Sequence, residues 1–282
     1  MMYVYRPDQE VLDSFKKKLL DPKVGYDRIY DAILQYHASW RGKDTKGSVD
    51  WPAVGSDELK GAFTRLTDRG IRKLSMDLPI VVRSKKGTDR PLLMVVAMDP
   101  LRDGGGDDST APQRVDCWVP FSIIENPQAA GGSYRSNMAF FETLLDHYDL
   151  YLTDVFKLFF WAGRKKSNQL GSFREIDAHA ELLRVEVDSM KPGAVLTLGN
   201  PARDAILAMV GEHPIPMQDI QHHIWLDGKT PVVSIPHISG AANGAKAKVL
   251  AARNADGKGG MNKALAKAVI AYMQEHCAVG QS

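Results

Sequence analysis

Four short apolar runs separated by helical stretches constrain this chain more than any other feature. The runs are Leu92–Met98, Leu150–Val155, Ala194–Leu198 and Val232–Ile235. Each has the length of a strand, and each is close to continuously apolar, the pattern of a strand covered on both faces. Between them, Asn137–Asp146, Ile176–Met190 and Pro201–Val210 carry apolar residues at helical spacing, and a last amphipathic helix spans Asn262–His276. Strands joined through crossover helices run parallel, so the expected fold is a three-layer α/β/α arrangement around a central four-stranded parallel sheet. Ahead of it, Val11–Leu20 and Tyr26–His37 read as two helices, Arg41–Leu59 as a loop leading into a third helix up to about Leu74, and Pro79–Arg83 as a short edge strand. Residues 1–85 are therefore expected to form an N-terminal helical extension packed on an α/β domain of residues 86–282, the whole being one compact unit.

Composition narrows the chemistry. The chain has 36 basic and 34 acidic residues, so attraction to a polyanion has to come from local patches and not from the net charge of +2. Cys117 and Cys277 are the only cysteines, too few for a disulfide framework, a four-thiolate zinc site or an iron–sulfur cluster. A reducing cytoplasm is the expected compartment. The opening MMYVYRPDQE has no basic segment followed by an apolar run, and no stretch approaches 18 uninterrupted apolar residues, so neither export nor a membrane is expected. His222 and His223 are adjacent and point differently, and no third ligand accompanies them, so no metal is expected. No cofactor is expected either. The glycine patch within Asp103–Asp108 is acidic and begins several residues after its strand, which argues against phosphate binding by an unrelated nucleotide enzyme.

In open α/β sheets, ligands bind at the carboxyl ends of the strands. Here the first run is followed by Ala97-Met98-Asp99-Pro100-Leu101, the second ends Leu152-Thr153-Asp154-Val155-Phe156-Lys157, the third lies in Lys191-Pro192-Gly193-Ala194-Val195-Leu196-Thr197-Leu198-Gly199, and the last leads into Pro236-His237-Ile238-Ser239-Gly240. This ordered set resembles the motifs of uracil-DNA glycosylases: an acid-proline turn, a strand ending T-N-V, a K-P…L-G strand and a final H-P-S, covering roughly Leu92 to Lys248. Breaking an N-glycosidic bond produces a cationic sugar and an anionic base, so a carboxylate is wanted on one side and a hydrogen-bond donor on the other. The resemblance implies that Asp99 positions or activates water and stabilises the sugar, while His237 donates to the base O2. It also implies that Phe121, in Val119-Pro120-Phe121-Ser122-Ile123, stacks on an extruded base, with Met98 and Leu101 beside the pocket. The residues alone leave other roles open: Asp99 as a turn residue before Pro100, His237 as a satisfied partly buried histidine, Phe121 as a core aromatic.

Two positions depart from the family. Where those enzymes place an asparagine, this chain has Asp154. An ionised carboxylate beside the acceptor edge of a departing uracil would be repelled by on the order of 4 kcal/mol at about 4 Å and an effective dielectric near 20, roughly a thousandfold in rate. Cytosine offers the opposite edge: an N4 amino group that Asp154 can accept from, and an N3 acceptor that a protonated carboxyl can serve. The second departure is Leu101, in place of the tyrosine that blocks the base C5. Together they imply a cytosine-type base carrying a C5 substituent, in the manner of anti-phage glycosylases that excise hypermodified cytosines. Alternatively, Asp154 caps the segment that follows it.

DNA, duplex or single-stranded, is the expected partner of a monomer. Arg164, Lys165 and Lys166 follow the second run, and Ser239, Asn243 and Lys246 follow the histidine; these are the expected phosphate contacts. Gly240-Ala241-Ala242-Asn243-Gly244 offers no bulky wedge for a duplex. The leading expectation is a monofunctional glycosylase acting by base flipping. The alternatives are an inactive DNA-binding module of the same fold and a uracil-DNA glycosylase of base excision repair.

Overall fold

Four parallel strands do form the middle of the molecule, and the sheet then continues beyond them on both sides. The computed structural model describes residues 2–18, 27, 30, 31, 33–35, 71–84, 90–98, 115–123, 132–162, 165–166, 177–257 and 259–277. In chain order the strands are β1 (Met2–Tyr5), β2 (Ile71–Asp77), β3 (Ile80–Ser84), β4 (Leu92–Ala97), β5 (Val115–Trp118), β6 (Asp149–Asp154), β7 (Leu158–Ala162), β8 (Lys165–Lys166), β9 (Ala194–Leu198), β10 (Gln221–Ile224) and β11 (Pro231–Ile235). The helices are α1 (Gln9–Lys18), α2 (Gly132–Leu145), α3 (Asp177–Met190), α4 (Asn200–Val210), α5 (Asn243–Ala252) and α6 (Met261–His276). Residues 27, 30, 31 and 33–35 are helical as well.

The main sheet has seven strands in the order β1-β3-β6-β4-β9-β11-β10. Its centre, β6-β4-β9-β11, is parallel throughout. β1 and β3 extend one side antiparallel, and β10 closes the other. The expected sheet of four strands is thus the core of a larger one. Antiparallel edge strands need no crossover helix, so the alternation of strand and helix that reveals a parallel sheet does not announce them. The expected edge strand at Pro79–Arg83 is present as β3. Residues ahead of position 85 also supply β1, so the N-terminal part contributes strands as well as helix. The helix expected to run to about Leu74 is replaced over Ile71–Leu74 by β2, which pairs with β5 and β7 in a second, four-stranded sheet, β5-β2-β7-β8. The rest of that expected helix lies outside the described residues.

Alternation decides the layers. In β4, Leu93 and Val95 face one side with Leu150 and Leu152 of β6, while Met94 and Val96 face the other with Tyr151. The first side is covered by α2, α5 and α6, whose buried residues include Phe140, Phe141, Val249, Leu265, Val269 and Met273. The spacing of Leu265, Val269 and Met273, four residues apart, puts them on one helical face. The second side is covered by α3 and α4 through Leu183, Val187, Ala202 and Ile206, and α1 packs against α3. Each fully buried side chain of this kind contributes about 1.5–3 kcal/mol.

Candidate active site

The carboxyl ends of the four parallel strands share one edge, and the register fixes what stands there. Ala97 at the end of β4 is paired with Asp154 at the end of β6, and Leu198 of β9 with Ile235 of β11. The ladder runs on past β4, because the Val155 amide donates to the Ala97 carbonyl at 2.8 Å and that of Phe156 to the Met98 carbonyl at 2.9 Å. Met98 is half-buried against the second layer. Asp99 and Leu101 lie outside the described residues.

Asp154 is 3% exposed and sits beside a buried polar network. Lys157, with no exposed surface, donates at 2.5 Å to the Asp154 carbonyl, to Thr153 Oγ1 and to Glu186 Oε2. Glu186 also accepts from the Tyr151 hydroxyl at 2.9 Å and from Thr153 Oγ1 at 2.8 Å. An ion pair this deep holds only where the remaining donors and acceptors are satisfied, as they are here. Its result is a strand end whose backbone is tied to α3 at the residue after Thr153. The Lys157 amide meanwhile donates to Nδ1 of His179, whose pKa is pushed down to about 3 by burial and then by the Lys157 ammonium.

His237 follows β11 by two residues. The Ser239 amide donates to its Nδ1 at 3.1 Å, and because an amide can only donate, that nitrogen carries no proton. The neutral ring therefore keeps its proton on Nε2, as a donor. Burial, and then the nearby Lys246 ammonium, push the His237 pKa below its ordinary value. The β9–α4 turn leaves space for the ring: Gly199 adopts φ +88°, and a Cβ there would lie 3.2 Å from Cβ of His237. Only glycine suits both demands.

Phe121 occupies a short 3-10 turn, Pro120–Ser122, with φ 60° and ψ 12° in the left-handed region, and Ser122 follows at φ 52°. Two consecutive non-glycine residues in that region are strained, a feature that clusters at functional sites. The half-buried Phe121 ring lies 4.8 Å from that of Phe141 in α2, tilted by 51°, and packs on the core. It is thus part of the first layer, and its turn packs against β6.

Among the expected phosphate contacts, Asn243 is exposed at the start of α5 and Ser239 is half-buried. Lys246 has a different place. It is 2% exposed, donates to the Ile238 carbonyl at 3.0 Å and to Asn262 Oδ1 at 2.7 Å, and so does not present its ammonium to a phosphate. Apolar packing by Val249 and Leu250, one helical turn on, draws that face of α5 inward. Arg164 lies outside the described residues; Lys165 and Lys166 form β8, with Lys166 opposite Trp161. A cavity of about 540 Å³ opens on the second layer, lined among others by Met98, Phe156, His179, Arg184, Asn200 and Asp204. It touches Met98 but not Asp154, Phe121 or His237. Among the described residues, no group of three or more His, Cys, Asp or Glu is placed to hold a metal ion, and no helix is long and apolar enough to cross a membrane.

The sequence expectations missed Lys157, Glu186, Asn262 and the inward role of Lys246. A lysine directly after an apolar strand, as in Thr153-Asp154-Val155-Phe156-Lys157, was the available signal; Glu186 lies within a helix whose pattern alone does not single it out.

The chain is thus a three-layer α/β/α protein with a neutral histidine and a buried acid near the carboxyl edge of its parallel strands. The family model of the uracil DNA glycosylase superfamily matches residues 121–258. That segment, which carries Phe121, Asp154 and His237, is similar to the uracil DNA glycosylase superfamily. No curated protein matches the chain. The match suggests a DNA glycosylase, with DNA as its partner; Asp99 lies ahead of the matched segment.

Proposed function

We propose that this protein is a monofunctional DNA glycosylase that hydrolyses the N-glycosidic bond of a flipped pyrimidine, and that it takes a cytosine-type base, modified at C5, in preference to uracil. The observation that carries the chemistry is the His237 tautomer, with Nδ1 occupied by the Ser239 amide and the proton left on Nε2. In this reading Asp154 and His237 address opposite edges of one ring. They end strands three apart in the sheet, on the order of 14 Å at about 4.8 Å per strand, a gap that two side chains and a pyrimidine can close.

The C1′–N bond breaks with its electron pair leaving on the base, whose developing negative charge is met by the Nε2–H of His237. Water adds through oxygen to C1′, its proton passing to Asp99, while the base takes up a proton from solvent. The products are an abasic sugar and the free base. Asp154 accepts from a cytosine N4 amino group, whereas uracil brings a carbonyl to the same place. Phe121 stacks on the base, and Leu101, smaller than tyrosine at its tip, leaves room at C5. Ser239, Asn243, Arg164, Lys165 and Lys166 contact phosphates. No cofactor takes part. Excision of hypermodified cytosine from foreign DNA is the cellular role this selectivity would serve, in a reducing cytoplasm consistent with two cysteines in the chain.

The test is incubation with oligonucleotides carrying uracil, cytosine, 5-hydroxymethylcytosine or glucosylated cytosine, followed by alkaline strand cleavage. Nicking is expected at the modified cytosines and should vanish in Asp99→Ala. Preferential release of uracil would overturn the base assignment, and DNA binding without nicking at any base would make the protein an inactive binding module.

A further inference from the structure

Two lysines are buried beside the strand ends, and their charges are answered differently. Lys157 faces Glu186 at 2.5 Å, both groups being fully buried. Lys246 is 2% exposed, yet both of its hydrogen-bond acceptors are uncharged: the Ile238 carbonyl and Asn262 Oδ1. Asn262 in turn donates to the Ile238 carbonyl at 2.9 Å and to Asn137 Oδ1 at 3.2 Å, so amide groups from α6 and α2 complete the nest. No carboxylate among the described residues forms an ion pair with Lys246.

Taking an ammonium out of water with only neutral partners is costly, and the cost falls when a negative charge arrives nearby. Lys246 grips the carbonyl of the residue next to His237, and is close enough to that ring to lower its basicity. In the reaction proposed above, an anion forms at the His237 side of the base. A fixed cation behind the histidine loop is aligned before the charge appears, so no reorganisation accompanies bond breaking.

We propose that Lys246 is a positioning residue for base release: its buried ammonium fixes the Ile238 carbonyl, and with it the His237 loop, and maintains a positive potential where the departing base becomes an anion. This rests on the glycosylase reading of the site. It replaces a surface role for Lys246 in holding DNA with an internal one in lowering the barrier.

The test compares wild-type protein with Lys246→Met, which keeps the length and loses the charge, on oligonucleotides carrying cytosine or uracil and their 5-fluoro derivatives. On whichever base the wild type releases, kcat should fall roughly 10- to 100-fold with KM for DNA changed less than about twofold. The deficit should shrink on the 5-fluoro base, whose anion needs less stabilisation; a purely structural lysine would give the same deficit on both. Lys246→Met with wild-type kcat, or with equal deficits, overturns the proposal. If that variant does not fold, the wild type decides: it should bind free 5-nitrouracil, an anion at neutral pH, roughly tenfold or more tightly than free thymine, a neutral ring of similar size. Equal binding overturns the proposal. A wild type that releases no base at all removes the glycosylase reading together with this inference, whereas release that is lost in His237→Ala and kept in Lys246→Met removes the inference alone.

Discussion

His237 and His179 are both held neutral, for different ends. At His237, moderate burial and one nearby ammonium lower the pKa while Ser239 fixes the tautomer. At His179, burial and the Lys157 ammonium take the pKa from 6.5 to about 3, and the ring serves as an acceptor for the Lys157 amide. A depressed histidine pKa means that the unfolded chain binds more protons between those two values. Its contribution is therefore complete above pH 6.5 and declines as pH falls toward 3, by at most about 1.4 kcal/mol per pH unit. Denaturant unfolding between pH 6.5 and 5 should show stability dropping with acidification, and His179→Gln, which keeps an acceptor, should reduce that slope by about 1 kcal/mol per unit. An unchanged slope would show that His179 does not remain neutral. At this scale the sequence was partly legible. His237 and Asp154 could be named because they stand where strands end, but whether a lysine such as Lys246 faces phosphate or a buried carbonyl depends on which face of α5 meets α2 and α6, and no local pattern encodes that.

Among the elements, those with a long, strong period were the legible ones. The helix expected at Pro201–Val210 is α4, with Pro201 in its first turn and Gly211 left-handed just past its end. Asn262–His276 is α6 to within one residue. The 3-residue helical turn Gly240–Ala242 and α5 were not anticipated, because Gly240-Ala241-Ala242-Asn243-Gly244 reads as loop chemistry. The second sheet was missed because its longest strand, β2, mixes charged and apolar residues without unbroken strand alternation, although its partner β7 is wholly apolar. Between elements, the tie from β6 to α3 is the Lys157–Glu186 pair. Lys157→Met would leave the Glu186 carboxylate buried with its cation gone, and should cost about 3–5 kcal/mol in urea unfolding. Lys157→Met combined with Glu186→Leu should recover at least half of that loss, since an apolar pair replaces an ionic one. A double variant no more stable than the single one would contradict this account of the network.

At the scale of the whole molecule, the parallel centre of the sheet places Met98, Asp154, Gly199 and His237 along one edge although they are spread over more than a hundred residues. The strand and helix alternation made that edge predictable; of the antiparallel strands that widen the sheet to seven, β3 was read as an edge strand, while β1 and β10 were hidden because they need no crossover. The 540 Å³ cavity beneath α3 and α4 opens at that edge beside Met98 and Asn200. The central claim is that Asp154 and His237 hold the two edges of a single excised base. A crystal structure with an abasic-site oligonucleotide and the released base tests it directly. The base should lie between these two side chains, with His237 Nε2 within hydrogen-bonding distance of its O2 and Phe121 against its face. A base bound in the cavity beside His179 and Asp204, with His237 untouched, would contradict it.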